Sequence, residues 1–183
     1  MKQKVNSLLS SHSDLKSFMT MMNPSMQQFS AENVEHALFG TAPTLMTLRR
    51  AYRDEAATIW MMPQLDDLNE YCSCKEKLDK GQMKQLAQII STEFSYLKVS
   101  EIMLFLYRFK SGRYGHFYGA IDPLVIITAL RNSFMSERAA AIEKHERALE
   151  RERWEAHCRE VARQRAEALA AGRPMYPHNK SEP

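Results

Sequence analysis

From residue 137 to residue 171 nothing in the chain breaks a helix, and Gly172 with Pro174 ends the run. If that helix continues back to Pro123, it is roughly 70 Å long at about 1.5 Å per residue. Its large apolar residues are sparse: Ile142, Leu149, Trp154, Val161 and Leu169. Charges are dense and balanced, and Glu143–Arg147 and Glu155–Arg159 sit four apart in the more favourable orientation. Ten alanines add intrinsic propensity. Such a segment holds itself together without burial, so a long arm in solvent is its expected form.

A chain with that element has few alternatives for the remainder. Glycine and proline are 13 of 183 residues, too few for the frequent turns of an all-β sandwich. No window approaches the 18 consecutive apolar residues of a membrane span. The start, MKQKVNSLLSSHSDLK, lacks the apolar stretch of a signal peptide. Three cysteines, Cys72, Cys74 and Cys158, exclude a paired disulfide framework, and no Cys-x-x-Cys or HExxH spacing offers a zinc site. The expectation is a cytoplasmic, all-α protein, with no metal and no cofactor. Its expected fold is a compact bundle of about six helices with a long, highly charged C-terminal helix.

Local signals divide the chain further. Residues 1–30, rich in Ser, Met and Gln, predict a flexible N-terminal arm with one amphipathic turn around Leu15–Met22. Residues 31–138 predict the helical core, 139–172 the extended helix and 173–183 a disordered tail. Ser30 precedes a short helix that Gly40 ends. Thr41 and Pro43 open a helix over 41–62 whose stripe is Leu45, Leu48, Tyr52, Ala56 and Ile59. Pro63 interrupts it, and 64–71 forms another short helix. Asp79 and Gln82 make a capping box. In the next helix, 100–110, the run Ile102–Tyr107 has no polar face, which places it at the centre of the bundle. Asp122-Pro123 is an N-cap followed by the favoured first helical residue.

The net charge of +3 has a location. Residues 96–118 hold Lys98, Arg108, Lys110 and Arg113 against Glu101 alone, and everything else balances. The stretch RFKSGRYGHFY (108–118) interleaves these cations with aromatics and glycines. Cations neutralise phosphates, aromatic faces stack on unpaired bases, and glycines allow close backbone approach. Lys98, Arg108, Lys110, Arg113, Tyr114, His116 and Tyr118 are therefore the candidate nucleic-acid residues, with single strands the favoured ligand. The plainer alternative is a helix–loop–helix corner whose aromatics roof the core. The two combine if Phe109 and Phe117 face inward and Tyr114, Arg113 and Lys110 outward.

Other chemistry finds less footing. The glycines match neither a dinucleotide fingerprint nor a phosphate-binding loop. A helix-turn-helix from 79–97 and 100–110 lacks a polar recognition face. The six histidines share no spacing with a nucleophile or paired acids, so no enzyme is expected. Trp154 is the candidate partner-binding residue, since a large aromatic on a solvated helix commonly marks an interface. The apolar steps 142→149→154→161 break a heptad seam at the middle step.

The block FSYLKVSEIMLFLYRFKSGRYGHFYGAIDPLVIITALRNSFMSER, and LKVSEIMLFLYRFKSGRYGHFYG (97–119) within it, resembles the core of an uncharacterised family of small helical proteins. That family is associated with mobile elements and prophage-like regions of Bacteroides-group bacteria. The resemblance covers about residues 40–140 and implies no activity and no residue roles. Its setting implies replication, helicase-loading or transfer accessory functions. The function expected is thus a non-enzymatic accessory protein of mobile-element DNA metabolism that contacts nucleic acid through residues 108–118. The alternative is a protein–protein adaptor, or a homo-oligomer, built on the long C-terminal helix. Its partners would be a replication-related protein or a second copy, and not a membrane.

Overall fold

The computed structural model describes residues 2–171. These residues divide into two compact units, with the boundary between Arg138 and Ala139. The disordered tail expected over 173–183 lies outside the described residues.

The first unit is all-α. Its helices are α1 (Lys2–Ser11), α2 (Leu15–Met21), α3 (Met26–Glu32), α4 (Val34–Phe39), α5 (Leu45–Ala51), α6 (Ala56–Tyr71), α7 (Lys80–Glu93) and α8 (Val99–Lys110). Then α9 (Pro123–Thr128), a π-helical segment (Ala129–Phe134) and α10 (Met135–Ala170) follow one another without a gap. Counting those three contiguous segments as one helical element, the described residues form nine helices rather than about six. Among the described residues the β-type contacts are two isolated bridges, Thr44 with Lys98 and Glu76 with Ala120. Also among them, no helix is long and apolar enough to cross a membrane.

Three of the additional helices come from the segment expected as a flexible arm. Asp14 caps α2 by accepting from the Ser17 N–H at 2.8 Å, and this places Phe18 and Leu8 in the core. Gln27 on α3 is buried and donates to Gln64 Oε1 at 2.8 Å. The indole N–H of fully buried Trp60 donates to the Met22 carbonyl at 2.8 Å. Ser- and Met-rich composition hid the Gln27 and Met22 anchors, because each works through a partner some 40 positions away rather than through local periodicity.

The segment 41–71 is divided differently from its pattern. Thr44, not Thr41, caps α5, accepting from the Thr47 N–H at 3.2 Å. The chain turns at residues 52–55, and the Tyr52 hydroxyl donates to the His12 carbonyl at 2.9 Å. Pro63, expected as a break, lies inside α6. An interior proline costs about 3 kcal/mol, yet Trp60, Met61, Leu65 and Leu68 flank it and are all fully buried. Each contributes roughly 1.5–3 kcal/mol by leaving water, so packing outweighs the local penalty.

The centre falls where the apolar run predicts. Ile102, Met103, Leu104, Phe105 and Leu106 of α8 are buried consecutively, and α3, α4 and α6 all pack on it. The capping box of α7 is present, with Asp79 accepting from Gln82 N at 2.8 Å and Gln82 Oε1 accepting from Asp79 N at 3.0 Å. Asp122 caps α9 through the Leu124 N–H at 2.8 Å. Ile126, Ile127, Leu130 and Phe134 are then buried together.

In the second unit, α10 continues to Ala170 with no buried residue along its length. Glu143 pairs with Arg147, Arg163 with Glu160 at 2.9 Å and with Glu167 at 3.3 Å.

Candidate functional site

The connection from α8 to α9 is held on both sides. Gly112, Gly115 and Gly119 all have positive φ, 79°, 111° and 84°. At Gly112 a side chain would also press on the His116 ring, 3.2 Å from where its Cβ would stand. The Gly119 carbonyl accepts from both the Lys75 and Glu76 N–H groups, at 3.1 and 3.2 Å. Ile121 N returns a bond to the Glu76 carbonyl at 2.9 Å. The opposing segment is fixed by buried Asn69, which accepts from Leu78 N at 2.9 Å and donates to the Leu78 carbonyl at 3.1 Å. Between the two segments lies a cleft of about 250 Å³, lined among others by Tyr71, Cys72, Cys74, Lys110, His116 and Phe117. Burial pushes the Cys72 thiol up, and Cys74 adds to the effect. Among the described residues no three His, Cys, Asp or Glu side chains gather as a metal site.

One carboxylate organises the loop. Glu137 Oε2 accepts from Arg108 Nη1 at 2.8 Å and from the Tyr114 hydroxyl at 3.0 Å. Its Oε1 accepts from Arg113 Nε at 2.8 Å. Tyr114 stacks on Phe105, centroids 5.6 Å apart and planes at 21°. Burial first, and the bond to Glu137 second, push its phenol up to about 12. Phe105 in turn meets Phe109 and Phe134 edge-on, and Phe109 meets Phe117 at 5.2 Å. Tyr114 is therefore an inward residue, not an outward one: its ring completes the aromatic cluster and its hydroxyl has an acid to reach.

The seven candidate nucleic-acid residues do not form one patch. Lys98 lies at the start of α8, where its ammonium donates to the Leu38 and Gly40 carbonyls at 2.8 Å each. Burial lowers its pKa, and those carbonyls close the C-terminal end of α4. Lys110 pairs with Asp67 at 2.6 Å and sits 5.7 Å from the Tyr71 ring centroid. It turns onto α6 rather than outward. Arg108 and Tyr114 are committed to Glu137. Arg113 shares that acid, yet its side chain is 53% exposed. His116 is exposed, and Tyr118 is 92% exposed. Arg113, His116 and Tyr118 are what the loop presents.

Glu137 was missed because the charge of 96–118 was summed along the chain and not across it. A signal existed: Ile127, Leu130, Phe134 and Glu137 recur at helical spacing, so an acid stands on the core-facing stripe. Glu101 is a parallel case. Its side chain is 1% exposed and accepts from Arg138 Nε at 2.7 Å. Its other oxygen caps the Lys98 N–H at 2.7 Å.

Trp154 is found on a different kind of surface. It is 68% exposed on α10. With Cys158, Val161, Ala162, Arg165 and Leu169 it lines a shallow groove along one face of that helix. Leu169 is 64% exposed.

No curated protein and no solved structure matches the chain. The family model described as "Family of unknown function (DUF6633)" matches residues 77–167, which takes in the glycine loop and most of α10 and leaves out the segment 40–76.

Proposed function

We propose that this is a non-enzymatic association protein, an adaptor or homo-oligomer, in which the helical core carries α10 as its docking element. One observation carries this reading. Trp154 and Leu169 are 68% and 64% exposed on the same face of a helix that buries nothing. Isolated exposed apolar residues need no explanation, but an aligned Trp, Val and Leu on a charged helix are a surface awaiting a partner. The test places a photo-reactive residue at Val161, and separately at Ala156 on the opposite face, in cells making the full chain. Protein-sized adducts at 161 and not at 156 are expected. Equal or absent adducts at both positions overturn the reading.

A second reading keeps the nucleic-acid contact. Nearly complete exposure of Tyr118 beside half-exposed Arg113 supports it, since a ring held out by flanking glycines can stack on an unpaired base. The mobile-element setting implied by the resemblance of residues 97–119 belongs to this proposal, as do an accessory part in DNA metabolism and a cytoplasmic location. Oligonucleotide titration at two salt concentrations tests it. Arg113→Ala should flatten the salt slope by roughly 1 and Tyr118→Ala should weaken binding at both salts. Binding unchanged in both variants removes this reading.

A further inference from the structure

We infer that the face of α10 from Trp154 to Leu169 pairs antiparallel with the same face of a second copy, about a two-fold axis between Val161 and Ala162. The inference rests on the reading that α10 is the docking element, and it names the occupant.

A two-fold interface must be complementary to itself, since each residue meets the mate that the axis assigns. For an axis between 161 and 162, Trp154 meets Leu169, Cys158 meets Arg165, and Val161 meets Ala162. The two largest apolar side chains thus cover each other at both ends. At the middle the seam carries only Val161 and Ala162, so the helices can approach closely.

Arg165 decides the direction. It lies within the apolar groove, between Ala162 and Leu169. In a parallel, in-register pair it would face its own copy, two guanidiniums desolvated against each other. In the antiparallel pair it stands at the level of the partner copy's cysteine. Along the axis it then lies within about 6 Å of two groups from the second copy: the indole at position 154, and the carboxylate at position 155. A guanidinium stacks on the first and pairs with the second. The symmetry makes both contacts twice. Within one chain Glu155 is held only loosely, 4.0 Å from Arg159, so it is available to a closer cation.

The stretch 154–169 is short. Sixteen residues span about 24 Å, and two such helix faces bury less than the roughly 1,200 Å² of a standard stable interface. A dimer that dissociates on dilution follows.

The experiment uses the full chain. Light scattering should give a mass moving from dimer toward monomer between about 100 µM and 1 µM. Arg165→Glu, which sets acid against acid at position 155, should raise the dissociation constant at least tenfold while leaving the melting temperature of the core unchanged. Mild oxidation reads the direction. Val161→Cys in a Cys158→Ser background should yield a reducible dimer, because the two 161 positions are about one residue apart along the axis. The native Cys158 should not, because two copies of it are about 10 Å apart along the axis. A dimer linked through the native Cys158 means parallel, in-register helices, in which positions 158 and 161 each face their own copy, and overturns the inference. A monomer at every concentration also overturns it. If photo-adducts at 161 then show the mass of a different protein, the docking reading survives and only the second copy falls; if no adducts form, both fall.

Discussion

Ion pairs occur both in the core and along α10, yet they do opposite kinds of work. In residues 2–138 the shielded pairs join partners far apart in sequence: Glu101 with Arg138, Glu137 with Arg108, Asp67 with Lys110. Along α10 beyond residue 139 the partners are three or four apart and exposed: Glu143 with Arg147, Glu160 and Glu167 with Arg163. The first kind joins elements that would otherwise be independent. The second only reinforces a helix in which Ala and Glu already favour the conformation. Charge density along a sequence therefore says little about what the charges hold together; burial decides.

The comparison breaks first if the long-range pairs can be removed cheaply. Arg138→Met leaves the Glu101 carboxylate, 1% exposed, without its cation. Breaking such a pair from one side costs roughly 3–5 kcal/mol. Urea denaturation should show that loss; a loss under about 1 kcal/mol would mean that water already reaches Glu101. The double variant Arg138→Met with Glu101→Met should recover much of the stability, since two apolar groups of similar size leave nothing uncompensated.

Glu137→Ala comes next. It releases three donors at once, two of them cationic, and hydrogen bonds to charged groups are worth about 1.5–3 kcal/mol. Arg113 keeps solvent contact, so a net cost of about 2 kcal/mol is expected. The more telling readout is local. Hydrogen exchange should accelerate over residues 111–119 and leave α6 and α7 unchanged. Uniform acceleration would mean that Glu137 supports the whole core and not the loop.

Tyr114→Phe sharpens the same point with pH. The folded phenol is pushed from its ordinary value of 10 to about 12, so the native state holds this proton more tightly than the unfolded chain does. Its contribution is complete below pH 10 and declines as pH rises through 12. The variant should be less stable than the parent by about 1 kcal/mol at neutral pH, and the two denaturation midpoints should converge as pH climbs from 10 toward 12. A gap that stays constant over that range would place the hydroxyl in water.

What could be read from the sequence follows the same division. The α10 helix, the Asp79–Gln82 capping box and the buried centre of α8 are local or periodic, and their signals lie within one turn or one stripe. The buried Gln27–Gln64 bond, the Trp60–Met22 bond and the Glu137 cluster each join positions more than 20 apart. No window of residues contains both partners, so the first 30 residues looked loose and the 96–118 stretch looked cationic. Pro63 shows the complementary failure: a valid local rule was outweighed by the four large side chains buried around it. For the site, Tyr118 and Arg113 were recognisable as loop residues, whereas the inward course of Tyr114 required knowing that Glu137 stands opposite.

The smallest expected effect is the most discriminating for α10. Arg163 bonds to Glu160 through two nitrogens, at 3.0 and 2.9 Å, and reaches Glu167 as well. By count of contacts it rivals the Glu137 cluster. Its side chain, however, is 64% exposed and so is that of Glu167, and exposed helical pairs contribute about 0.3–0.5 kcal/mol each before salt. Arg163→Ala also exchanges a good helix former for a better one, which offsets part of even that. The prediction is a change in helix content of α10 too small to shift the core's denaturation midpoint, with whatever remains shrinking further near 1 M salt as the screening length falls to about 3 Å. A loss of 2 kcal/mol, insensitive to salt, would show that Arg163 has a shielded partner. The contrast between the two regions would then fail at α10.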